Sequence, residues 1–316
     1  MERPENPVSR FLSRQGFVLL DGGLATTLEA HGASLDDDLW SASVLLEAPE
    51  ALRQVHRAFL EAGSDCIATV SYQASIAGFR NRGLTELEAN ELMRASSRLA
   101  VAERDDFWQS EEDRSGRLKP LVAASVGPYG AFLADGSEYT GDYGIGEAEL
   151  RTFHQDRWRI LAESEADLLA CETIPSLREA VLLTELLEDT PQKWAWLSFS
   201  CRDDVHISDG TRLLEAAREL DSVPRLVAIG VNCVSPDHVP SLIDELAAGT
   251  NKPIFVYPNQ GEGWDAAAKS WVGEPRILDW GQAADEWLRL GASGVGGCCR
   301  VGPDEIAGVR GHLSSR

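Results

Sequence analysis

Eight short apolar segments, most of them followed by a polar or helical stretch, constrain the fold of this 316-residue chain more than any other feature. Each segment is nearly continuous in apolar residues, which is typical of strands buried on both faces of a parallel sheet. The segments are residues 17–21, 65–70, 121–127, 167–172, 194–201, 226–233, 253–259 and 292–299.

Amphipathic helices are predicted between these segments. In residues 49–62 an apolar stripe recurs at helical spacing, and the stretch ends at Gly63, a residue type that commonly ends helices. Residues 176–187 open with Ser-Leu-Arg-Glu, a capping-box pattern. The same periodicity predicts helices over residues 84–103, 147–165, 211–220, 237–248, 277–290 and 303–313.

Eight strands that alternate with helices predict an α/β fold, namely a (β/α)₈ TIM barrel. We expect a single barrel domain over residues 11–316, preceded by an N-terminal tail of residues 1–10, because no composition break or linker marks a second domain. A doubly wound sheet is the main alternative. Its typical glycine fingerprint is missing, since the first predicted turn reads Asp21-Gly22-Gly23-Leu24.

The charge balance of the chain excludes two classes of partner. There are 51 acidic and 29 basic residues, so the formal net charge is −22. A surface this acidic repels phosphate backbones and anionic membranes, so we expect small-molecule substrates and no nucleic acid or membrane partner. The N-terminal sequence has no apolar signal segment, so we expect a cytoplasmic protein, as a monomer or weak homo-oligomer.

The six cysteines all lie within or at the end of predicted strands. In a long chain without a secretory signal, this number indicates free thiols, metal ligands or catalytic groups rather than disulfides. Cys233, Cys298 and Cys299 end the sixth and eighth predicted strands. The carboxyl ends of barrel strands converge on the active-site face, so these three sulfurs are candidates for one site.

Three cysteine thiolates can hold one Zn²⁺ and leave its fourth position open to a substrate. Adjacent cysteines in a regular strand point to opposite faces, so Cys298 and Cys299 converge only if the backbone bends, which Gly294, Gly296 and Gly297 would permit. Free cysteine also serves as a small buried apolar residue. We favour that interpretation for Cys66, Cys171 and Cys201; for the other three, spacing alone leaves both interpretations open.

Gly-Val-Asn-Cys at residues 230–233, together with Gly-Gly-Cys-Cys at 296–299, resembles the zinc signature of the homocysteine S-methyltransferase family. The resemblance extends from about Phe11 to about Leu313. Segment 125–143 (SVGPYGAFLADGSEYTGDY) resembles the S-methylmethionine-using branch more than the betaine-using branch. The other matching segments are residues 19–29, 71–75, 171–180 and 257–262.

The resemblance implies a barrel that binds Zn²⁺ through Cys233, Cys298 and Cys299, with homocysteine as methyl acceptor and methionine as product. The nucleophile is then the substrate thiolate on zinc, and no side chain is predicted to act as a nucleophile. Glu172 would bind the substrate ammonium group. The further residues expected to bind substrate or line its pocket are Asp21, Gly22, Gly23, Asn259 and Tyr72.

Several alternatives remain open from the sequence. The donor can be S-methylmethionine or S-adenosylmethionine, and the acceptor can be selenocysteine or another thiol. A barrel hydrolase or lyase using zinc-bound water is a different class, but three soft thiolates argue against it because hydrolytic zinc usually has histidine and carboxylate ligands. A non-catalytic barrel is the third class. Glu172 can instead cap the next helix, and Asp21 can simply begin a tight turn.

Overall fold

The computed structural model describes residues 5–32, 40–110, 116–261, 263–265 and 270–315, and it confirms the predicted barrel. Eight parallel strands form the barrel, namely β1 (Val18–Leu19), β2 (Cys66–Ala68), β3 (Leu121–Val126), β4 (Leu168–Ile174), β5 (Ala195–Phe199), β6 (Leu226–Asn232), β7 (Ile254–Tyr257) and β10 (Ala292–Val295). They lie in one sheet in the order β1-β10-β7-β6-β5-β4-β3-β2, and a parallel bridge between Leu20 and Cys66 brings β1 beside β2.

Helices connect the barrel strands. They are α1 (Ser9–Gln15), α2 (Leu24–Ala30), α3 (Trp40–Glu47), α4 (Pro49–Glu61), α5 (Ile76–Asn81), α6 (Glu86–Ser110), α7 (Tyr129–Leu133), α8 (Glu147–Ala162), α9 (Leu177–Glu188), α10 (Leu213–Leu220), α11 (Val239–Gly249), α12 (Trp280–Leu290) and α13 (Pro303–Ser314). Two short 3₁₀ turns cover Ser137–Tyr139 and Pro236–His238. Among the described helices, none is both long and apolar enough to cross a bilayer.

The strands alternate between the barrel interior and the helix layer, which explains why their sequences are apolar throughout. In β3, Leu121 and Ala123 belong to the inner cluster, whereas Val122 and Val126 pack toward the helices. Both faces are therefore removed from water, as expected for a parallel barrel. Phe255 fills the inner cluster, and a side chain on the facing Gly294 would overlap its ring.

Asp65, which precedes β2, links several segments at the end of the barrel where the strands begin. Its carboxylate accepts the backbone N–H of Leu19 at 2.9 Å and the Gln15 amide at 2.6 Å. Arg310 of α13 pairs with the other carboxylate oxygen at 2.6 Å. These contacts tie helices at both ends of the chain to one end of the barrel and leave the carboxyl ends of the strands for a site.

All eight predicted strands are confirmed, although most are shorter than the apolar segments. The helix predicted over residues 84–103 runs instead over Glu86–Ser110. Buried Glu103 and Arg104 extend it through polar contacts, which hydrophobic periodicity does not detect. A short antiparallel hairpin, β8 (Gly263–Asp265) with β9 (Ser270–Val272), was not predicted. Residues 1–4 of the expected tail, and Glu262 at the end of segment 257–262, lie outside the described residues.

Candidate metal centre and substrate pocket

Three cysteine sulfurs converge at the carboxyl ends of β6 and β10. Cys233 directly follows β6, and Cys298 and Cys299 lie three and four residues beyond the end of β10. Their Sγ atoms all lie within 4.8 Å of one another, and the Cys233 and Cys299 sulfurs are 4.0 Å apart. Cys233 adopts a left-handed backbone conformation, with φ of 51°. Such a conformation is costly outside glycine and is found where the surrounding structure enforces it, as at functional sites.

Cys233 and Cys298 are close enough to pair as a disulfide, with Cα atoms 5.5 Å apart, whereas Cys299 is free. The same two sulfurs lie close enough to Cys299 for all three to hold one metal ion. The expectation of free thiols is confirmed for Cys66, Cys171, Cys201 and Cys299.

The chemistry of this cluster fits zinc once the disulfide is reduced. Zinc–sulfur bonds of about 2.3 Å in a tetrahedron separate the sulfurs by about 3.8 Å, close to the observed 4.0 Å. Burial, with a further contribution from the charge of Glu138, raises the pKa of the Cys299 thiol to about 12. A thiolate at this position therefore needs a compensating cation, and three sulfur ligands suit a soft or borderline metal ion.

The turn that carries Cys298 and Cys299 rests against the first strand-end loop. Gly23 donates its N–H to Val301 at 2.8 Å, and a Cβ on Gly23 would lie 2.6 Å from the Cys298 carbonyl oxygen. A Cβ on Gly22 would overlap the Val301 carbonyl. Both glycines are thus required because the backbone of the first loop approaches the cysteine turn closely. The family resemblance implied a different reason for them, namely proximity to the substrate.

Gly294, Gly296 and Gly297 do not adopt positive φ angles, whereas Arg300 in the same turn does, with φ of 72°. A side chain on Gly297 would overlap Val301, so this glycine also serves close packing.

Asp21 is buried beside the cysteine turn. Its Oδ2 accepts the backbone N–H of Ala68 at 2.7 Å, and its carbonyl accepts the N–H of Gly297 at 3.0 Å. Within the described residues, Oδ1 has no hydrogen bond. Burial raises the pKa of Asp21 well above its usual value, and the neighbouring Glu172 raises it further. The two carboxylates therefore lie near each other.

Glu172 lies near the end of β4, with both carboxylate oxygens hydrogen-bonded. Ser125 donates its hydroxyl to Oε1, and Tyr257 donates its hydroxyl to Oε2 at 3.3 Å. Burial raises the pKa of Glu172 to about 7, although these two hydrogen bonds oppose the shift. Neighbouring side chains thus hold Glu172 at the barrel end. Glu172 does not cap α9, because Ser176 caps the N-terminus of that helix.

A polar network that the sequence did not single out surrounds Glu172. Trp196 donates its indole N–H to the Tyr257 hydroxyl at 3.0 Å, and the Ser198 hydroxyl bonds to the same oxygen. Asn232 accepts from Ser198 at 2.8 Å and from the Thr173 backbone N–H at 2.7 Å. Each of these residues lies in an apolar strand, and hydrophobic patterning gives no indication that their polar atoms are linked.

Tyr72 follows β2 and is half-buried near Thr173. Burial raises the pKa of this phenol well above its usual value. The Tyr72 carbonyl accepts from the Gly127 N–H at 3.3 Å and from the Arg157 guanidinium at 2.8 Å. The ring thus lies over Gly127, where a side chain would collide with it.

Asn259 lies two residues beyond β7, but its side-chain oxygen is directed to the backbone of the cysteine turn. Its Oδ1 accepts the Cys299 N–H at 3.1 Å. The structure therefore brings the predicted residues Asp21, Glu172 and the cysteines to one end of the barrel, and places Asn259 as a support for that end.

Comparison with known proteins identifies the family. A family model described as homocysteine S-methyltransferase matches residues 18–313. Homocysteine S-methyltransferase YbgG of Bacillus subtilis is 48% identical over 301 residues, covering 95% of this chain and 96% of that protein. The chain belongs to the homocysteine S-methyltransferase family. It is therefore an enzyme of the methyltransferase class.

Solved structures of the homocysteine methyltransferase MmuM from Escherichia coli share this fold. The metallated form superposes with a TM-score of 0.87 at 41% identity, covering 97% of this chain and 99% of that one. The oxidised form gives a TM-score of 0.86 at 42% identity, with the same coverage. The family match and the barrel architecture agree over nearly the whole chain.

Proposed function

We propose that this enzyme transfers a methyl group from a sulfonium donor to the thiolate of L-homocysteine and yields methionine. The observation that carries the proposal is the convergence of three cysteine sulfurs within 4.8 Å at the barrel end that also holds Glu172 and Asp21. Sulfur ligands suit activation of a thiol, and nearby carboxylates suit the ammonium group of an amino acid.

The metal is proposed to be zinc, held by Cys233, Cys298 and Cys299. When bound there, zinc supplies deprotonation of the substrate thiol at neutral pH, which matters because the thiolate is the nucleophile. The chain itself supplies three sulfurs on two adjoining turns. Gly22 and Gly23 let the first loop support one of these turns.

Glu172 and Asp21 are proposed to bind the homocysteine ammonium. A buried ammonium needs a charged partner, and these two carboxyl groups lie near each other at the end of the barrel that carries the cysteines. Ser125 and Tyr257 orient the Glu172 carboxylate by hydrogen bonds, so its position does not depend on the substrate. The ammonium would favour the ionised form of Glu172, whose pKa near 7 leaves it divided between two states at neutral pH.

The transfer itself requires no protein nucleophile. A lone pair of the substrate sulfur forms a bond to the methyl carbon, while the bond from that carbon to the donor sulfur breaks and its electron pair stays on the donor. The donor thereby loses its positive charge, and the acceptor loses its negative charge. The protein must align the two sulfurs and exclude water. The positions of its binding residues serve the first purpose, and the burial of the site serves the second.

We propose S-methylmethionine as the preferred donor, with S-adenosylmethionine as the second candidate. Support comes from segment 125–143, which resembles the S-methylmethionine-using branch. The E. coli structures that match this chain are named as a homocysteine methyltransferase and name no donor.

The test is to incubate reduced, zinc-loaded protein with homocysteine and each donor separately and to follow methionine. We expect methionine to form only when homocysteine and a donor are both present, and to form faster with S-methylmethionine. Chelation should abolish methionine formation, and added zinc should restore it. Cys299→Ala should abolish transfer, whereas Cys201→Ala, at a free cysteine outside the cluster, should not. Absence of methionine from zinc-loaded protein with either donor would refute the function and favour a hydrolase or a non-catalytic barrel.

A further inference from the structure

The end of β4 contains one residue more than regular strand alternation allows. Cys171 and Ile174 both pack toward the helices. Regular alternation would leave a single residue between them, but Glu172 and Thr173 both lie there. The pairing register with β5 shifts over the same interval, as it does where a strand carries an extra residue. The side chains of Glu172 and Thr173 are therefore both able to face the barrel interior, although the two residues are consecutive.

Thr173 adopts a left-handed backbone conformation, with φ of 59°. For a β-branched residue this is an outlier that persists only where the surroundings enforce it. Asn232, the last residue of β6, enforces it through two hydrogen bonds. Its Oδ1 accepts the Thr173 backbone N–H at 2.7 Å, and its Nδ2 donates to Thr173 Oγ1 at 2.8 Å. One carboxamide thus holds both the backbone and the side chain of Thr173, and so fixes the direction of Glu172, the residue before it.

The same carboxamide also contacts the cysteine cluster. Asn232 Nδ2 donates to the Sγ atom of Cys298 at 3.8 Å. The orientation of the carboxamide is unambiguous, because the Thr173 backbone N–H can only donate and must therefore face the oxygen. With the Ser198 hydroxyl at 2.8 Å from Oδ1, both acceptor sites and both N–H groups of the carboxamide have a partner. This one side chain therefore connects β4, β5 and the cysteine turn.

The backbone of Asn232 is held as firmly as its side chain. Asn232 pairs with Tyr257 in the ladder between β6 and β7, and the next residue, Cys233, donates its N–H to the Tyr257 carbonyl at 3.3 Å. Asn232 is only 1% exposed, so water does not compete for its partners. A side chain that projects from a rigid strand places its contacts more precisely than one on a loop. Asn232 is therefore a rigid connection between the end of β4 and Cys298.

We propose that Asn232 is a positioning residue for both sites, because its carboxamide directs Glu172 and donates a hydrogen bond to the Cys298 thiolate. The inference rests on the proposed function, in which Glu172 binds the substrate ammonium and Cys298 binds zinc. A hydrogen bond to a thiolate is charge-assisted, so it orients the sulfur and withdraws electron density from it. Groups that hydrogen-bond to metal ligands tune the affinity of the site for its metal.

Two binding measurements test the two links. Asn232→Ala removes both, and Asn232→Leu removes both while filling the space, so the links stay measurable if the alanine variant does not fold. Competition with a chromophoric chelator on the reduced chain should show a zinc affinity about 10–100-fold lower in either variant. Calorimetry on the zinc-loaded chain should show a norleucine affinity about tenfold lower, as expected when one charge-assisted hydrogen bond is misaligned. Norleucine reports on the ammonium site alone, because it has no sulfur that could bind zinc.

The control is Asn251→Ala, the same chemical change at an exposed residue before β7, which should leave both affinities unchanged. Thr173→Val separates the two links, because it keeps the β-branched shape and the contact of Asn232 with sulfur but removes the Oγ1 acceptor. It should lower the norleucine affinity and leave the zinc affinity unchanged.

Cobalt in place of zinc provides a readout that a purely structural role would not change. Co²⁺ bound to thiolates absorbs light through transfer of charge from sulfur to the metal, and the energy of this band falls when the sulfur becomes more electron-rich. Loss of the hydrogen bond should therefore move the band to longer wavelength in Asn232→Ala and Asn232→Leu. The band should stay in place in Thr173→Val, which retains the contact with sulfur.

Each link is overturned by its own result. An unchanged cobalt band in the Asn232 variants overturns the link to Cys298, whatever the zinc affinity, and an unchanged norleucine affinity overturns the link to Glu172. Methyl transfer is measured separately. Wild-type enzyme that binds zinc and norleucine but forms no methionine overturns the proposed function, and the binding and absorption results still decide the role of Asn232.

Discussion

The side-chain oxygen of Asn259 accepts the backbone N–H of Cys299 at 3.1 Å, which ties β7 to the cysteine turn. The backbone reinforces this link, since the Asn259 N–H donates to Val234 at 3.0 Å and the Gln260 N–H donates to the Cys299 carbonyl at 3.2 Å. Val234 follows Cys233 directly. One residue therefore connects both turns that carry the proposed zinc ligands.

Asn259→Ala should weaken zinc binding, because the Cys299 turn loses the hydrogen bond that fixes it. Loss of a supporting partner around a metal site typically costs about 10–100-fold in affinity. Competition with a chromophoric chelator would measure the change, and no activity assay is required. Asn251→Ala is the control, since among the described residues that side-chain amide donates to Asp221, at 3.5 Å. Equal affinity in Asn259→Ala and the wild-type enzyme would contradict the supporting role.

The cysteine positions were predictable from the sequence because strand ends of a barrel meet, whereas the role of Asn259 was not. The sequence placed Asn259 at the end of the seventh predicted strand but indicated only pocket lining. Whether such a side chain points to a substrate or to a backbone N–H depends on the turn geometry. That geometry arises from contacts between residues about 40 positions apart, which no local pattern reveals.

The pH dependence of amino acid binding should report the ionisation of Glu172. Its pKa is raised to about 7, so the ionised form that attracts an ammonium becomes dominant only as the pH rises through that value. The affinity for methionine, which lacks a thiol proton, should therefore increase about tenfold from about pH 6 to about pH 8, as the ionised fraction rises from about one tenth to about nine tenths. Glu172→Gln should bind methionine more weakly and lose the rise centred near pH 7; a flat wild-type profile would exclude this assignment.

Tyr257→Phe should move the same profile to higher pH. The Tyr257 hydroxyl donates to Glu172 at 3.3 Å and so favours the ionised carboxylate. Its removal raises the pKa of Glu172 further, so a higher pH is needed for the same methionine affinity. Tyr139→Phe is a suitable comparison, because its hydroxyl has no hydrogen bond to Glu172. A midpoint that stays in place or moves to lower pH in Tyr257→Phe would show that the hydroxyl does not stabilise the carboxylate.

The barrel strands and the two carboxylates could be predicted, but the network that links them could not. Tyr257 and Ser198 occupy strands whose apolar character is the signal for burial, and a hydroxyl in such a strand gives no indication of its partner. The contact between these two residues joins β5 to β7 across β6. It depends on barrel closure and register, which become definite only when all eight strands are assembled.

Oxidation and zinc binding should exclude each other in this enzyme. The disulfide between Cys233 and Cys298 uses two of the three proposed ligands, and a thiolate is required for coordination. Protein oxidised without metal should take up no zinc until a reductant is added, and zinc-loaded protein should resist oxidation. Thiol counting and metal analysis on the same samples would test both statements. Stoichiometric zinc uptake by fully oxidised protein would remove these cysteines from the ligand set.

Arg157 of α8 should be critical for stability, because its buried guanidinium holds two strand-end loops together. It donates to the carbonyls of Gly127 and Ser71 at 2.9 Å and of Tyr72 at 2.8 Å. Burial lowers its pKa to about 10, so the group remains charged at neutral pH. The Arg157 guanidinium also lies 5.4 Å from the centre of the Phe153 ring.

Arg157→Met keeps much of the side-chain volume but leaves three carbonyls without this donor. Each buried acceptor that loses its partner costs about 1–3 kcal/mol, so we expect the free energy of unfolding to fall by about 3–5 kcal/mol. Arg157→Lys should recover part of this loss, because an ammonium cannot reach all three oxygens in the geometry of the guanidinium fork. Urea unfolding would measure the series, with the exposed Arg159→Met on the same helix as control. Full stability in Arg157→Lys would show that charge alone, rather than the fork, holds the loops.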